Sequence, residues 1–137
     1  MLVKNFSAKY RVYYEDTDAG GVMYYANYLK FFERARTDFL RDLGISQHEL
    51  IEKEQTAFVV RRCEIDYLRP ARLDDLIEVT VIIDKINAAS IAMSQEIILE
   101  GGVLAKLKVE IVSVDTKSFK PKKITEILKN SLQRNNS

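Results

Sequence analysis

A chain of 137 residues is the size of one domain with one core, and 47% hydrophobic with 30% charged residues is ordinary for a folded globular protein. A formal net charge of +1 leaves no overall field to draw in nucleic acid or an anionic membrane, and no apolar run approaches the ~20 residues that a bilayer span needs. The opening MLVKNFSAKYRVYYE lacks the apolar stretch and cleavage site of a secretory leader, and a single cysteine, Cys63, excludes an internal disulfide; a reducing cytoplasm is the expected setting.

Residues 9 to 15, KYRVYYE, are rich in β-formers and predict a first strand. DTDAGG follows as a turn, in which Gly20 and Gly21 permit backbone angles closed to other residues. From Asn27 to Leu43 the apolar period changes to that of a helix: Tyr28, Phe32, Ala35, Phe39 and Leu43 form a stripe, which Leu29, Phe31 and Leu40 widen. Gly44 is its stop, and Ser46 with Glu49 has the pattern of a capping box opening a short second helix.

After Thr56 the period becomes two. Cys63, Ile65 and Tyr67 predict one buried face, as do Ile77, Val79, Val81 and Ile83 on the next strand. Ile91, Met93, Ile97 and Leu99, then Ala105, Leu107, Val109 and Ile111, repeat the pattern, with EGGV as a tight hairpin between them. KSFKPKKITEILKNSLQRNNS begins basic, carries an apolar stripe at Ile124, Ile127 and Leu128, and predicts a short surface helix with a polar tail from about residue 130. The expected class is α+β, one domain over residues 1–137. A five-stranded antiparallel sheet wraps one long helix, the hotdog architecture, and its open edges favour pairing into a dimer.

Elimination narrows the chemistry. His48 is the only histidine and lies in the capping-box helix, where a surface role is expected. Cys63, on an apolar strand face, is expected to be a buried, inert thiol. One histidine and one cysteine supply no zinc cluster, and neither a P-loop nor Gly-x-Gly-x-x-Gly occurs. Carboxylates remain. The EDTD group at 15 to 18 could be turn and cap residues alone. It also sits ahead of a helix whose unpaired N–H groups and dipole favour an anion and could hold a carbonyl oxygen that becomes negative under attack.

VYYEDTDAGGVMYYANYLKFFERARTDFLR closely resembles the YbgC branch of the 4-hydroxybenzoyl-CoA thioesterase family, acyl-CoA thioesterases of the hotdog fold, and the likeness continues through AFVVRRCEIDYLRPARLDDLIEV and VDTKSFKPKKI. The resemblance implies hydrolysis of acyl-CoA to acid and CoA, with Asp18 as nucleophile or general base, Asp16 as support, and the backbone N–H of Tyr25 polarising the carbonyl. It further implies Gly21, Val22, Tyr24, Asn27, Phe58, Arg61 and Ser90 as substrate-binding positions, with Glu33 able to organise the site. No metal or cofactor is expected, CoA being part of the substrate. The implied assembly is a homodimer or a dimer-of-dimers tetramer with the site between subunits, and acyl carrier protein is an expected partner.

The chain departs from the family at two places. Tyr25 stands where many relatives have His. NAAS retains Ser90 but lacks the basic residues that precede it in related enzymes, leaving Arg61, Arg62, Arg69, Arg72 and Lys85 as candidates for the CoA phosphates. The alternative reading is a non-hydrolytic acyl or acyl-carrier-protein module associated with the Tol–Pal envelope system. A hydratase suits the sequence poorly, because the sole histidine lies outside the motif.

Overall fold

The computed structural model describes residues 6–133. Its elements are β1 (Phe6–Arg11), a 3-10 turn (Tyr14–Asp16), α1 (Asn27–Asp42), α2 (Gln47–Glu54), β2 (Thr56–Tyr67), β3 (Leu76–Ile86), β4 (Ser90–Leu99), β5 (Gly102–Asp115) and α3 (Glu126–Gln133). The strands form one antiparallel sheet in the order β1-β3-β4-β5-β2, so β1 and β2 are its edges.

The inner face is apolar because its alternation is in phase on neighbouring strands. Ile77, Val79, Val81 and Ile83 on β3, Ile91, Met93 and Ile97 on β4, and Ala105, Leu107, Val109 and Ile111 on β5 are buried. Across this face lies α1, packed against β1, β3 and β4 and burying Tyr28, Phe31, Phe32, Ala35, Phe39 and Leu40. Each large apolar side chain so buried contributes about 1.5–3 kcal/mol in transfer free energy. Phe39 meets Phe6 of β1 with ring centroids 5.5 Å apart, and Tyr10 of β1 donates to the Asp38 carboxylate of α1. The β4–β5 hairpin turns through two residues, Glu100 and Gly101, both at positive φ, as its right-handed twist requires.

Several expectations are corrected. β1 begins at Phe6 and ends at Arg11 instead of spanning residues 9 to 15: the Asp16 carboxylate takes the Tyr13 N–H (2.9 Å) and curls the chain out of the sheet. Leu29 does not widen the buried stripe and is exposed, on the flank of α1 turned from the sheet. Cys63 is exposed, not buried. Its register opposite Val109 puts it on the inner side, but α1 packs mainly on β1, β3 and β4 and covers the inner side of β2 only in part: Phe58 and Ile65 pack against the core, while Cys63 and Tyr67, also expected to be buried, are exposed. Ile127 is exposed, while Ile124, Leu128 and Leu132 are buried; α3 continues through residues 130 to 133, where a polar tail was expected. Residues 134–137 lie outside the described residues. The second helix begins as expected, with the Ser46 side chain accepting from the Glu49 N–H at 3.2 Å.

Gly21 has φ +80°, and a Cβ there would meet nothing within 4 Å. Gly21→Ala therefore exposes backbone strain alone, and urea titration should show a loss of about 1–2 kcal/mol. Tyr10 supplies an alkaline signature: burial first, then the Asp38 hydrogen bond and charge, raise its pKa above the ordinary 10.0. The folded form keeps its proton where the unfolded chain loses it, so this contribution is whole below about pH 10 and is lost above it. Tyr10→Phe should cost about 1 kcal/mol at neutral pH and flatten the alkaline fall in melting temperature.

Candidate active site

The turn before α1 is a small sewn hairpin. Thr17 and Met23 form an antiparallel bridge, the Asp18 N–H donates to the Val22 carbonyl (2.9 Å), and the Gly21 N–H donates to the Asp18 carbonyl (3.1 Å). The turn is stitched to the connection after β2: Met23 N–H to Ala71 carbonyl at 2.7 Å, Leu73 N–H to Gly21 carbonyl at 3.2 Å, and a bridge between Val22 and Arg72.

Asp16 and Asp18 are placed differently by this turn. Asp16 is buried, its carboxylate accepting from Tyr13 and its carbonyl from the Tyr24 N–H (3.1 Å) and Asn27 Nδ2 (2.9 Å). It is a support residue, as the sequence implies. Asn27, expected to bind substrate, spends its side-chain amide on this latch. Asp18 is exposed, its Oδ1 accepting from the Gly20 N–H at 2.8 Å. A Cβ on Gly20 would lie 3.3 Å from that oxygen, a tight contact that the carboxylate would have to yield to by a few tenths of an ångström.

With Asp18 and Tyr24 N–H groups both engaged, the Tyr25 N–H has no acceptor among the described residues. It precedes the first turn of α1, where the partial positive charge of the helix end is concentrated. The Tyr25 carbonyl accepts from the Tyr67 hydroxyl (3.2 Å), and the Tyr67 ring stands edge-on to both Tyr25 and Tyr28, with centroids at 6.1 and 5.1 Å. These rings, with Met23, Leu68, Arg69 and Pro70, line a cleft of about 240 Å³. Sequence reasoning did not single out Tyr28 or Tyr67 as cleft-lining residues; their spacing signals only core positions.

Arg69 and Pro70 also line a neighbouring groove with Arg72, Glu100 and Gly102. A Cβ at Gly102 would fall 1.8 Å from the Arg69 guanidinium, so the bare backbone there is what lets the free end of this side chain lie across the hairpin. Arg61, a candidate for phosphate contact, is closed on Glu110 through two hydrogen bonds of 2.7 and 3.3 Å. Arg62 and Lys85 are exposed at the surface.

Phe58, Arg61 and Ser90 lie apart from Asp18. Ser90 is buried, accepts from Asn87 Nδ2 (3.1 Å), and shares a row with Val112 and Val59. Phe58 lines a crevice with Glu33, Arg36, Leu40 and Val60. Along β2, Arg61 to Tyr67 spans about 20 Å and Phe58 to Tyr67 about 30 Å at the rise of an extended strand. The expected site thus falls into two groups at opposite ends of one edge strand. A hollow of about 460 Å³ between α2 and α3 belongs to neither. Among the described residues, no group of His, Cys, Asp and Glu is placed to hold a metal. No described helix is long and apolar enough to cross a membrane.

Comparison with known proteins agrees with this architecture. Residues 12–132 match the model of the thioesterase-like superfamily. The acyl-CoA thioesterase YbgC of Haemophilus influenzae is 47% identical over 121 residues, 88% of this chain and 89% of that protein. The acyl-CoA thioester hydrolase YbgC of Escherichia coli O157:H7 is 46% identical, covering 82% and 84%. A crystal structure of a probable thioesterase from Bartonella henselae superposes with a TM-score of 0.85 at 38% identity, covering 89% of this chain and all of that one. With its hotdog fold, the chain belongs to the thioesterase-like superfamily, among the YbgC-type acyl-CoA thioesterases.

Proposed function

We propose that the chain hydrolyses an acyl-CoA thioester to the free acid and CoA at a site shared by two copies of itself. The observation that carries this reading is the split along β2. Its outer edge is unpaired, and antiparallel pairing with the same edge of a second chain brings the Phe58–Arg61 end of one against the Tyr67 end of the other. Asp18 and the Tyr25 N–H of one chain then face Phe58, Arg61 and Ser90 of the other, which is the company the motif implies for them.

In this site the thioester carbonyl accepts a hydrogen bond from the Tyr25 N–H, whose preorganised dipole stabilises the negative oxygen by about 2.7–4 kcal/mol in the transition state. Asp18 acts through the oxygen not held by Gly20. It attacks the carbonyl carbon, giving a mixed anhydride that water then splits, or it removes a proton from a water that attacks directly. On either route the C–S bond breaks, sulfur leaves as the CoA thiol, and one water is consumed. Tyr24 and Val22 border the approach, and Gly21 holds the turn open.

The closure of Arg61 on Glu110 favours a second reading, a non-hydrolytic acyl or acyl-carrier-protein module of a Tol–Pal envelope system, because it withdraws one cation from the phosphates. Thiol release separates the two: acyl binding with no free thiol across a series of acyl-CoA lengths would establish the module.

Asp18→Asn should fold normally and lose roughly 10³-fold or more in kcat; wild-type turnover in that variant would remove Asp18 from the mechanism. Val60, exposed on the free strand, tests the shared site. Val60→Glu should shift the mass measured by light scattering to that of one chain and abolish turnover with it. A single-chain species that retained full activity would show that one copy suffices.

A further inference from the structure

The turn after β5 is built more rigidly than a connection requires. The Asp115 carboxylate accepts from the Ser118 N–H (2.9 Å), the Lys117 N–H (3.0 Å) and the Ser118 hydroxyl (3.2 Å), and these donors, that of Ser118 foremost, hold its carboxyl below the usual carboxylate range. The Phe119 N–H donates to the Asp115 carbonyl (2.7 Å), the Asp115 N–H to Lys120 (2.9 Å), and the Thr116 N–H to Gln55 at the end of α2 (3.0 Å). A bridge between Val114 and Pro121 closes the base.

At the tip stands Phe119, with φ +59° and 70% of its surface in water. A left-handed backbone is unfavourable for a bulky side chain, and exposure is unfavourable for a phenyl ring. Asparagine or glycine at this position would meet neither penalty. Lys117 and Lys120 flank the ring in the turn and Lys123 follows on the returning segment, all exposed and without a carboxylate partner among the described residues, whereas Lys122 is tied to the Glu54 carbonyl at 2.5 Å. The near-zero net charge of the chain conceals this local concentration.

We infer that this tip docks the protein on an anionic lipid surface. Phe119 enters the boundary between headgroups and acyl chains while Lys117, Lys120 and Lys123 lie against the headgroup phosphates. A lone ring projecting from a convex turn suits a fluid surface that closes around it; a folded protein partner would need a preformed pocket of matching shape. The prearranged turn lowers the ordering cost of the contact.

Co-sedimentation of the full chain with vesicles of phosphatidylcholine, alone or mixed with phosphatidylglycerol, tests this. The wild type should sediment with the mixed vesicles and not with phosphatidylcholine alone, and about 0.5 M sodium chloride should release it. Phe119→Asn should bind at least about 5-fold more weakly, yet melt at the same or a higher temperature, which separates loss of the ring from misfolding. Exchanging Lys117, Lys120 and Lys123 together for Gln should abolish the preference for the anionic lipid. Turnover of acyl-CoA in solution should be unchanged in both variants, since neither touches the proposed site. Equal sedimentation with both vesicle types, or wild-type binding by Phe119→Asn, would overturn the inference. So would retention on an immobilised acidic protein with no vesicle binding, which would assign the tip to a protein partner.

Discussion

Asp16 is the point on which the arrangement of the site depends. One residue ends β1 by drawing in the Tyr13 N–H, then fixes the entry to α1 by accepting from the Tyr24 N–H and the Asn27 amide. A carboxylate that is 4% exposed is costly unless its charge is met by donors. The Tyr13 N–H meets that cost for the carboxylate, while the backbone carbonyl of the same residue engages the Tyr24 N–H, and the next N–H in the chain, that of Tyr25, has no acceptor among the described residues. The division of labour within DTD follows from burial. Asp16 is inside and committed to backbone groups; Asp18 is outside, with only one oxygen held.

The second constraint is the offset of α1 from the sheet. A single helix covers β1, β3 and β4, and a five-stranded sheet is wider than that. The inner side of β2 is therefore only partly covered, and Val59, Val60 and Tyr67 stay in contact with water along the edge strand. An exposed apolar edge invites strand pairing, and natural sheets normally blunt it with charge or proline. Here Arg61, Arg62, Glu64 and Asp66 alternate with exposed apolar residues, and the Val59–Val60 and Tyr67 ends of the strand support the reading that a second chain occupies the edge.

These two features mark where the sequence was legible. Helical spacing correctly placed α1 and all five residues of its main stripe, because a face that meets a sheet must be apolar at every turn. Alternation likewise identified most of the buried residues of β3, β4 and β5, although Leu99 is only partly covered and Leu104, Val112 and Val114 are buried as well. It misplaced Cys63 for a definite reason: period two tells which side of the sheet a residue faces, and whether anything covers that side depends on where the helix lands. Leu29 and Ile127 failed similarly, since both sit beside a true stripe on flanks that meet no neighbour. The motif singled out Asp18 and Tyr25, but the linear order of Phe58 and Arg61 gave no warning that one chain keeps them about 20–30 Å from Tyr67 by the strand rise.

Gln95 shows what pattern reading omits inside the core. It occupies an inward position of β4 between Met93 and Ile97, 1% exposed, where alternation calls for an apolar residue. Both ends of its amide are satisfied: Oε1 accepts from Arg36 at 2.9 Å, and Nε2 donates to the Phe32 carbonyl at 3.0 Å. Burial lowers the pKa of Arg36, although a guanidinium remains charged throughout the ordinary pH range. Apolar packing is nondirectional and tolerates small rotations of a helix, whereas two buried hydrogen bonds to one turn of α1 do not. Gln95 thus fixes how α1 is rotated against β4. Because the Tyr25 N–H belongs to the same helix end, a polar residue in the middle of the core helps to set the direction in which the site points.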